Sequence, residues 1–319
     1  MVKALALQDE MTQALGACVF DVTLDCEDGA PVGGEKDHAF MVSALAFKGL
    51  VATKNAAVSN DRRVAVRVHP VDHPAFDQDI QIVLGEAAAA WSHLMLPKVD
   101  SVADVDKALT VIDAALASSS RTHALPIHVL IESPLAVHQA ALIAAHPRVE
   151  SLSFGLMDFV SAHGGAIPAS AMSVRGQGSA DGHDQFSHPL VVRAKLEISA
   201  ACHAFGKVPS HCVVTEFKRA DVVQAAAQRA SRELGFTRMW SIHPDQIRPI
   251  LAAFTPAESE VEQASHIICA ADKAGWAPIS VAGTLHDRAS FRYYWQVLEK
   301  AHQTGRLDRQ DPACQYFAG

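Results

Sequence analysis

The chain has 319 residues, of which 49% are hydrophobic and 19% are charged, and its formal net charge is −8. This composition suits one large domain with an appendage or two ordinary domains, and the absence of a basic block argues against nucleic-acid binding. Charges, His or Pro interrupt every apolar run, and the N-terminus MVKALALQDE lacks the features of a signal peptide. We therefore expect a cytoplasmic protein without a membrane partner.

The cysteines and histidines do not suggest a disulfide framework or a zinc site. No cysteine pair forms C-x-x-C, and most cysteines stand in apolar surroundings. The histidines are too dispersed along the chain to suggest zinc ligands. Buried thiols in a reduced compartment are the expected state. The six cysteines are Cys18, Cys26, Cys202, Cys212, Cys269 and Cys314.

Short apolar runs alternate with helix-like stretches along most of the chain. The runs occupy residues 18–28, 64–70, 93–99, 127–133, 149–158, 211–217 and 237–244. They are rich in Val, Ile and Leu, as strands buried on both faces are. Amphipathic stretches such as QIVLGEAAAAW, SVADVDKALTVIDAALA and ADVVQAAAQRASREL lie between them. The alternation predicts a parallel sheet, and residues 2–7 as a short first strand would complete a TIM (β/α)₈ barrel over residues 1–254.

Polar residues stand at the ends of these predicted strands. In chain order they are Asp25, Glu27 and Asp28, then Arg67 and His69, Lys98, Glu132, Asp158, Glu216 and His243. The carboxyl ends of barrel strands meet at one rim, where active sites lie. A single charged residue at a strand end is usually just solvated, but the recurrence at successive strand ends favours a site.

Residues 164–189 contain GG, PAS and GQGSADGHDQ and few apolar residues. This composition is typical of a long mobile loop, here following the fifth predicted strand. Such a loop could cover a substrate or could be a disordered surface insertion, and the residues favour neither alternative.

The pattern changes after Phe254. Thr255 as N-cap, Pro256 in the first turn and Glu258 in a capping box predict a helix, and an extended piece and a second helix follow. We expect residues 255–319 to form a helical extension outside the barrel. The second helix carries an apolar stripe at helical spacing that requires burial: Phe291, Tyr294, Trp295 and Leu298.

The residue types at the predicted rim suit a magnesium site that binds an anionic oxo acid. Mg²⁺ prefers oxygen ligands, commonly one or two carboxylates with waters and substrate, and Glu132 and Asp158 end adjacent strands. The acids of DCED could hold the metal's waters, and Arg67 could grip a carboxylate with two hydrogen bonds. A salt bridge between strands is the alternative for any one of these residues, but the combination of Glu132, Asp158 and Arg67 favours the site.

Several motifs resemble those of the HpcH/HpaI aldolase and citrate lyase superfamily, in family order. LDCEDGAP resembles its acidic motif, VRVHP its arginine strand, LPKV its lysine strand, LIES its metal-glutamate strand and FGLMD its metal-aspartate strand. SIHPDQI resembles the I-H-P-x-Q segment, and AFTPAESEVEQA resembles the start of the C-terminal extension. Each motif alone is weak, but the ordered set covers nearly all of the chain.

The resemblance implies roles for individual residues. Glu132 and Asp158 would be the Mg²⁺ ligands and Arg67 the substrate-binding arginine. The remaining matched residues would lie near the metal waters or the substrate: Asp25, Glu27, Asp28, Lys98 and His243. The extended tail resembles that of the citrate lyase β subunit and malyl-CoA lyase branch. This resemblance implies a homo-oligomer, commonly a trimer or hexamer, in which the tail of one subunit closes the rim of another.

The segment GTLHDRASF resembles the family's G-K-M-[IV]-D-x-P segment, whose Asp serves a neighbouring subunit. By this resemblance Asp287 would be a general acid or base. The residues themselves leave a second interpretation open, since Asp287 could simply N-cap the following helix.

The chain also departs from the family pattern. The usual opening strand R-S-x-L-F-V-P-G is missing, His69 stands where Asn is common, and Glu216 stands where Asp is frequent. These differences and the 164–189 insertion indicate a divergent subgroup, so the resemblance does not identify the substrate.

Three functions remain open. The first is aldol or Claisen cleavage of a 3-hydroxyacyl thioester, such as a malyl, citramalyl or citryl thioester, to an acyl thioester and a 2-oxo acid, with CoA or an acyl-carrier protein as the carrier. The second is hydrolysis of a malyl-type thioester at the same site. The third is a barrel that binds an acyl-CoA or oxo acid without turnover. No Walker, G-x-G-x-x-G dinucleotide-binding or G-x-S-x-G signature competes with these readings.

Overall fold

A computed structural model describes residues 1–55, 62–119, 121, 123–174 and 182–317. Seven strands form one parallel sheet in the order of the chain. They are β1 (Val22–Asp25), β2 (Val64–Arg67), β3 (Trp91–Leu96), β4 (Ile127–Ile131), β5 (Val149–Phe154), β6 (Val208–His211) and β7 (Arg238–Met239). The parallel α/β architecture expected from the alternating pattern is confirmed.

Helices follow most of these strands and cover the outside of the sheet. They are α1 (Val2–Leu15), α2 (Glu35–Asn55), α3 (Phe76–Val83), α4 (Val102–Leu116), α5 (Pro134–Ala145), α6 (Leu156–Ser161), α7 (Pro189–Ala204), α8 (Ala220–Arg232) and α9 (Ile247–Phe254). One hydrophobic core runs from Leu5 to Ala253 and includes every residue of β4 except His128 and Leu130. Those two alternate with the core residues along β4, as the period of two of a strand requires.

The prediction of a strand at residues 2–7 is wrong, because these residues begin α1. Leu5, Gln8 and Met11 are buried at a spacing of three, which places them on one face of a helix. The helix ends at Gly16, which adopts a left-handed conformation with φ 75°. Within the described residues the sheet therefore has seven strands, with β1 and β7 at its edges.

The sixth strand lies earlier than predicted. The apolar run 211–217 suggested a strand ending at Glu216, but β6 is Val208–His211 and includes Pro209. Proline is unfavourable inside a sheet. The sequence pattern therefore predicted the strand after Pro209, in the apolar residues 211–217. Those residues leave the sheet, and the Gln246 side chain donates a hydrogen bond to the Val214 carbonyl oxygen at 2.6 Å.

Residues 255–319 contain a separate hydrophobic core. The segment comprises α10 (Glu258–Lys273), the antiparallel hairpin of β8 (Ile279–Val281) and β9 (Thr284–His286), and α11 (Arg288–Gln303). Phe291 and Leu298 of the predicted stripe are buried in this core, and Tyr294 and Trp295 pack against it. The stripe is therefore covered by the tail's own residues.

The predicted cap of α10 is wrong in position. The helix begins after Ala257, and the Glu260 side chain accepts the Ala257 backbone N–H at 2.8 Å. Thr255 instead follows α9, where its hydroxyl donates to the Leu251 carbonyl oxygen at 2.7 Å. Two acids at the helix start, Glu258 and Glu260, offered two possible registers, and the later one forms.

The 164–189 insertion is partly packed into the main core. Residues 169–172 form a 3₁₀ helix, and Ile167, Ala171 and Phe186 are buried. Residues 175–181 of the predicted mobile loop lie outside the described residues. The buried side chains on both sides show that its two ends are anchored.

The buried thiols expected from the sequence are present. All six cysteines are free, and Cys26, Cys202 and Cys212 are buried. In the described ranges no helix combines the length and apolar character needed to span a bilayer.

Candidate active site

Arg67 lies at the centre of an acidic cluster at the carboxyl ends of β1 and β2. The register pairs Asp25 with Arg67, and the Arg67 Nε and Nη2 atoms donate to the two Asp25 oxygens, both at 2.7 Å. Nη1 lies 2.6 Å from Glu27 Oε2 and 3.2 Å from Asp28 Oδ2. Although burial alone would lower it, the Asp25 hydrogen bonds and the neighbouring carboxylates raise the pKa of Arg67. Arg67 is thus a permanent cation held by three acids.

Glu132 follows β4 and is buried against the backbone of two neighbouring strand ends. Its Oε2 accepts the Lys98 backbone N–H at 2.7 Å, and its side chain lies over Gly155. Burial first, and then the charges of Asp158 and Glu27, raise the pKa of Glu132 to about 7, although the hydrogen bond from the Lys98 N–H opposes the rise. A buried carboxylate among other acids is a position where a bound cation would be favourable.

Asp158 approaches Glu132 from the next strand. It lies in the first turn of α6, directly after β5 and Gly155, and its side chain is exposed. The two carboxylates supply hard oxygen donors. Among the described residues no group of three or more His, Cys, Asp or Glu side chains could hold a metal. Two carboxylates with water and substrate oxygens are nevertheless the usual Mg²⁺ environment, so the residues fit this ion.

Lys98 connects the two parts of the site. Its Nζ lies 2.6 Å from Glu27 Oε1, and its backbone N–H binds Glu132. Burial would lower the pKa of Lys98, but the Glu27 hydrogen bond and charge raise it. Lys98 has φ 50°, an uncommon conformation for a residue with a side chain, and in it the N–H is directed at the Glu132 carboxylate.

Trp240 belongs to the site although the sequence analysis did not select it. It follows β7, and the Arg67 Cζ lies 5.5 Å from the centroid of its ring. The guanidinium group thus lies over the Trp240 ring within cation–π distance, a favourable arrangement. Its position at a strand end, three residues before His243, was the available signal, but an aromatic residue there is more often part of the core.

The remaining candidates contact residues outside the Arg67 cluster. His243 precedes a short 3₁₀ helix, where its Nδ1 accepts the Asp245 N–H at 3.2 Å and its ring packs beside Phe217. Asp287 is exposed and N-caps α11, accepting the N–H groups of Ala289 and Ser290 at 2.9 and 3.3 Å. His69 is buried and pairs through Nδ1 with Asp79 at 2.6 Å.

A parallel α/β sheet with an Arg–acid cluster and a pair of metal-suited carboxylates at its carboxyl rim defines a class of metal-assisted enzymes. The model of the HpcH/HpaI aldolase/citrate lyase family matches residues 4–244. The chain belongs to this family.

Individual relatives agree with this assignment. The chain is 28% identical over 293 residues to an L-malyl-CoA/β-methylmalyl-CoA lyase of Cereibacter sphaeroides, covering 88% of this chain and 86% of that one. A citrate lyase structure from Burkholderia xenovorans LB400 is 47% identical, with a TM-score of 0.80 over 98% of this chain and 91% of that one.

The protein CitE from Mycobacterium tuberculosis, solved in complex with magnesium, acetoacetate and coenzyme A, shares the fold. It is 22% identical, with a TM-score of 0.63 over 92% of this chain and 94% of that one.

Proposed function

We propose that this protein is a Mg²⁺-dependent carbon–carbon lyase that cleaves a 3-hydroxyacyl thioester to an acyl thioester and a 2-oxo acid. The observation that carries the proposal is that Glu132 and Asp158 follow the adjacent strands β4 and β5, close enough for the charge of Asp158 to raise the pKa of Glu132, with Glu27 of the Arg67 cluster also acting on it. One relative is an L-malyl-CoA/β-methylmalyl-CoA lyase and one similar structure is a citrate lyase. The family resemblance adds citramalyl and citryl thioesters to the proposed substrate classes. The carrier would be CoA or an acyl-carrier protein.

Glu132 and Asp158 would hold the Mg²⁺ ion. When bound, the ion would polarise the keto and carboxylate oxygens of the oxo acid as a Lewis acid. Arg67 would bind the oxo-acid carboxylate and stabilise charge that develops during cleavage. Asp25 and Glu27 orient Arg67 and Lys98, while Trp240 limits access to one face of the guanidinium.

The proposal extends to the tail. Residues 1–254 would be the catalytic domain, and 255–319 would be a lid that completes the site of a neighbouring subunit in a homo-oligomer, a trimer or hexamer. The separate core of the tail supports this division. Asp287 would protonate the enolate in cleavage or deprotonate the acyl methyl group in condensation. His243 would lie near the substrate at the rim, and the protein would act in the cytoplasm.

A complete (β/α)₈ barrel is part of the proposal. A cavity of about 1130 Å³ is lined by residues of both edge strands, among them Thr23 of β1 and Met239 of β7. An eighth strand between β1 and β7 would pair both edges and close the sheet around this space, which residues of β3, β4, β5 and β6 also line. A crystal structure in which the gap stays open would contradict this part of the proposal.

The function is tested with purified protein, Mg²⁺ and malyl-CoA, citramalyl-CoA or β-methylmalyl-CoA. A lyase releases a 2-oxo acid, a thioesterase releases free CoA and the hydroxy acid, and a binding protein releases neither.

Glu132→Ala should lose Mg²⁺ binding and turnover while keeping the fold. Arg67→Lys keeps the positive charge but loses the paired N–H donors that bind both oxygens of a carboxylate, so its activity should fall steeply. Unchanged Mg²⁺ binding in Glu132→Ala would reject the metal site.

A further inference from the structure

We infer that Asp28, whose carboxylate lies against Nη1 of Arg67 in the resting protein, competes with the oxo-acid carboxylate for Arg67 and must swing away when the oxo acid binds. The inference rests on the proposed function and adds a residue that controls the affinity for the oxo acid. It follows from which edges of the guanidinium are already occupied.

A guanidinium group offers two edges to a carboxylate. In Arg67 the edge formed by Nε and Nη2 is taken by Asp25, with both distances at 2.7 Å. Asp25 itself accepts the backbone N–H groups of Glu27 and Gly29, each at 3.0 Å, so it is fixed in place. The substrate is left with the edge formed by Nη1 and Nη2.

The second edge is partly covered by acids of unequal mobility. Glu27 lies 2.6 Å from Nη1, has a side chain that is 6% exposed, and is also held by Lys98. Asp28 lies 3.2 Å from Nη1, and its side chain is 71% exposed. Of the two, Asp28 is the acid that can leave.

The Asp28 side chain can rotate without any change in the backbone around it. Glu27, Asp28, Gly29 and Ala30 form a turn in which the Ala30 N–H donates to the Glu27 carbonyl oxygen at 2.9 Å. Asp28 occupies a corner of this pinned turn, so release of Arg67 requires only a side-chain rotation. Exposed ion pairs contribute little free energy, so an incoming carboxylate can replace the contact.

Trp240 restricts the space around the guanidinium group, because the Arg67 Cζ lies 5.5 Å from the centroid of its ring. A carboxylate that binds the remaining edge has to share Nη1 with Asp28 or displace it. The Asp28 carboxylate is a built-in competitor for the position of the oxo-acid carboxylate.

The test measures the affinity for pyruvate and glyoxylate in the presence of Mg²⁺, by calorimetry and as KM in the condensation direction. Asp28→Asn should tighten binding about two- to fivefold, the range expected for an exposed ion pair. Asp28→Glu should restore the competition. The gain should disappear in an Arg67→Lys background, because it acts through the Arg67 edge.

Glu35→Gln is the matched control for a general charge effect. Glu35 is a partly exposed acid at the start of α2, seven residues after Asp28, and it accepts the Gly33 N–H at 2.9 Å. An equal gain in Glu35→Gln, or no gain in Asp28→Asn, would overturn the inference while leaving the proposed function intact. If the wild-type protein neither binds an oxo acid nor releases one, the proposed function fails and the inference falls with it.

Discussion

At the scale of single residues, the position of the Glu132 side chain depends on the absence of a side chain at Gly155. A Cβ atom at Gly155 would stand 2.4 Å from Glu132 Cγ and 2.5 Å from Oε1. Gly155 has φ −88°, so no left-handed conformation requires glycine here. The glycine is needed because the Glu132 side chain occupies the space of a methyl group.

Gly155→Ala should therefore displace the Glu132 carboxylate. We expect Mg²⁺ affinity to fall and turnover to drop about 100-fold, as for other small misplacements of reacting groups. Gly85→Ala is the control, since its nearest contacts would be an ordinary 3.4 Å. Magnesium titration of both variants, with melting temperatures, checks the result. Wild-type Mg²⁺ affinity in Gly155→Ala would show that Glu132 is not a ligand.

At the scale of elements, the sequence predicted what depends on local pattern and missed what depends on packing. The strands β2, β4 and β5 lie within their predicted runs, because both-face burial leaves a continuous apolar signature. Residues 2–7 were misread because a short apolar run does not distinguish strand from helix. Arg67 and Glu132 were found from residue type and position, but their contacts with Asp28 and Gly155 depend on side-chain directions that no pattern encodes.

Helix α7 holds a buried cation that makes stability depend on pH. Lys195 Nζ donates to the Gln185 backbone and side-chain oxygens at 2.8 and 2.9 Å and lies 4.2 Å from the Phe186 ring. Burial lowers the pKa of Lys195 to about 8, and Cys212 partly opposes this. These contacts tie α7 to the end of the 164–189 insertion.

The sign of the effect follows from proton binding. Between about pH 8 and the ordinary lysine value of about 10.4, the unfolded chain holds more protons at Lys195, so stability rises with pH. Relative to Lys195→Met, the wild type should gain about 3 kcal/mol over this interval. Urea unfolding of both proteins at several pH values measures the gain. If the free energy of unfolding depends on pH in the same way in the wild type and in Lys195→Met, the pKa of Lys195 is not lowered in the folded protein.

At the scale of the whole molecule, the tail's role depends on where Asp287 acts. The burial of Phe291 and Leu298 within the tail removes the need for a neighbour to cover the apolar stripe. The cap formed by Asp287 on α11 is confirmed, yet the carboxylate stays exposed. In the proposed homo-oligomer, this exposed carboxylate would be available to the site of a neighbouring subunit.

Mixing two inactive variants tests whether Asp287 acts in the site of its own subunit or in that of a neighbouring subunit. Glu132→Ala and Asp287→Ala should each be inactive if both residues serve one reaction. If a site takes Glu132 from one subunit and Asp287 from its neighbour, random mixing pairs the two intact residues with probability one half times one half. Activity should then recover to about one quarter of wild type under conditions that allow subunit exchange. Labelled subunits that exchange fully without recovering activity would leave Asp287 as a helix cap or as a residue of its own barrel.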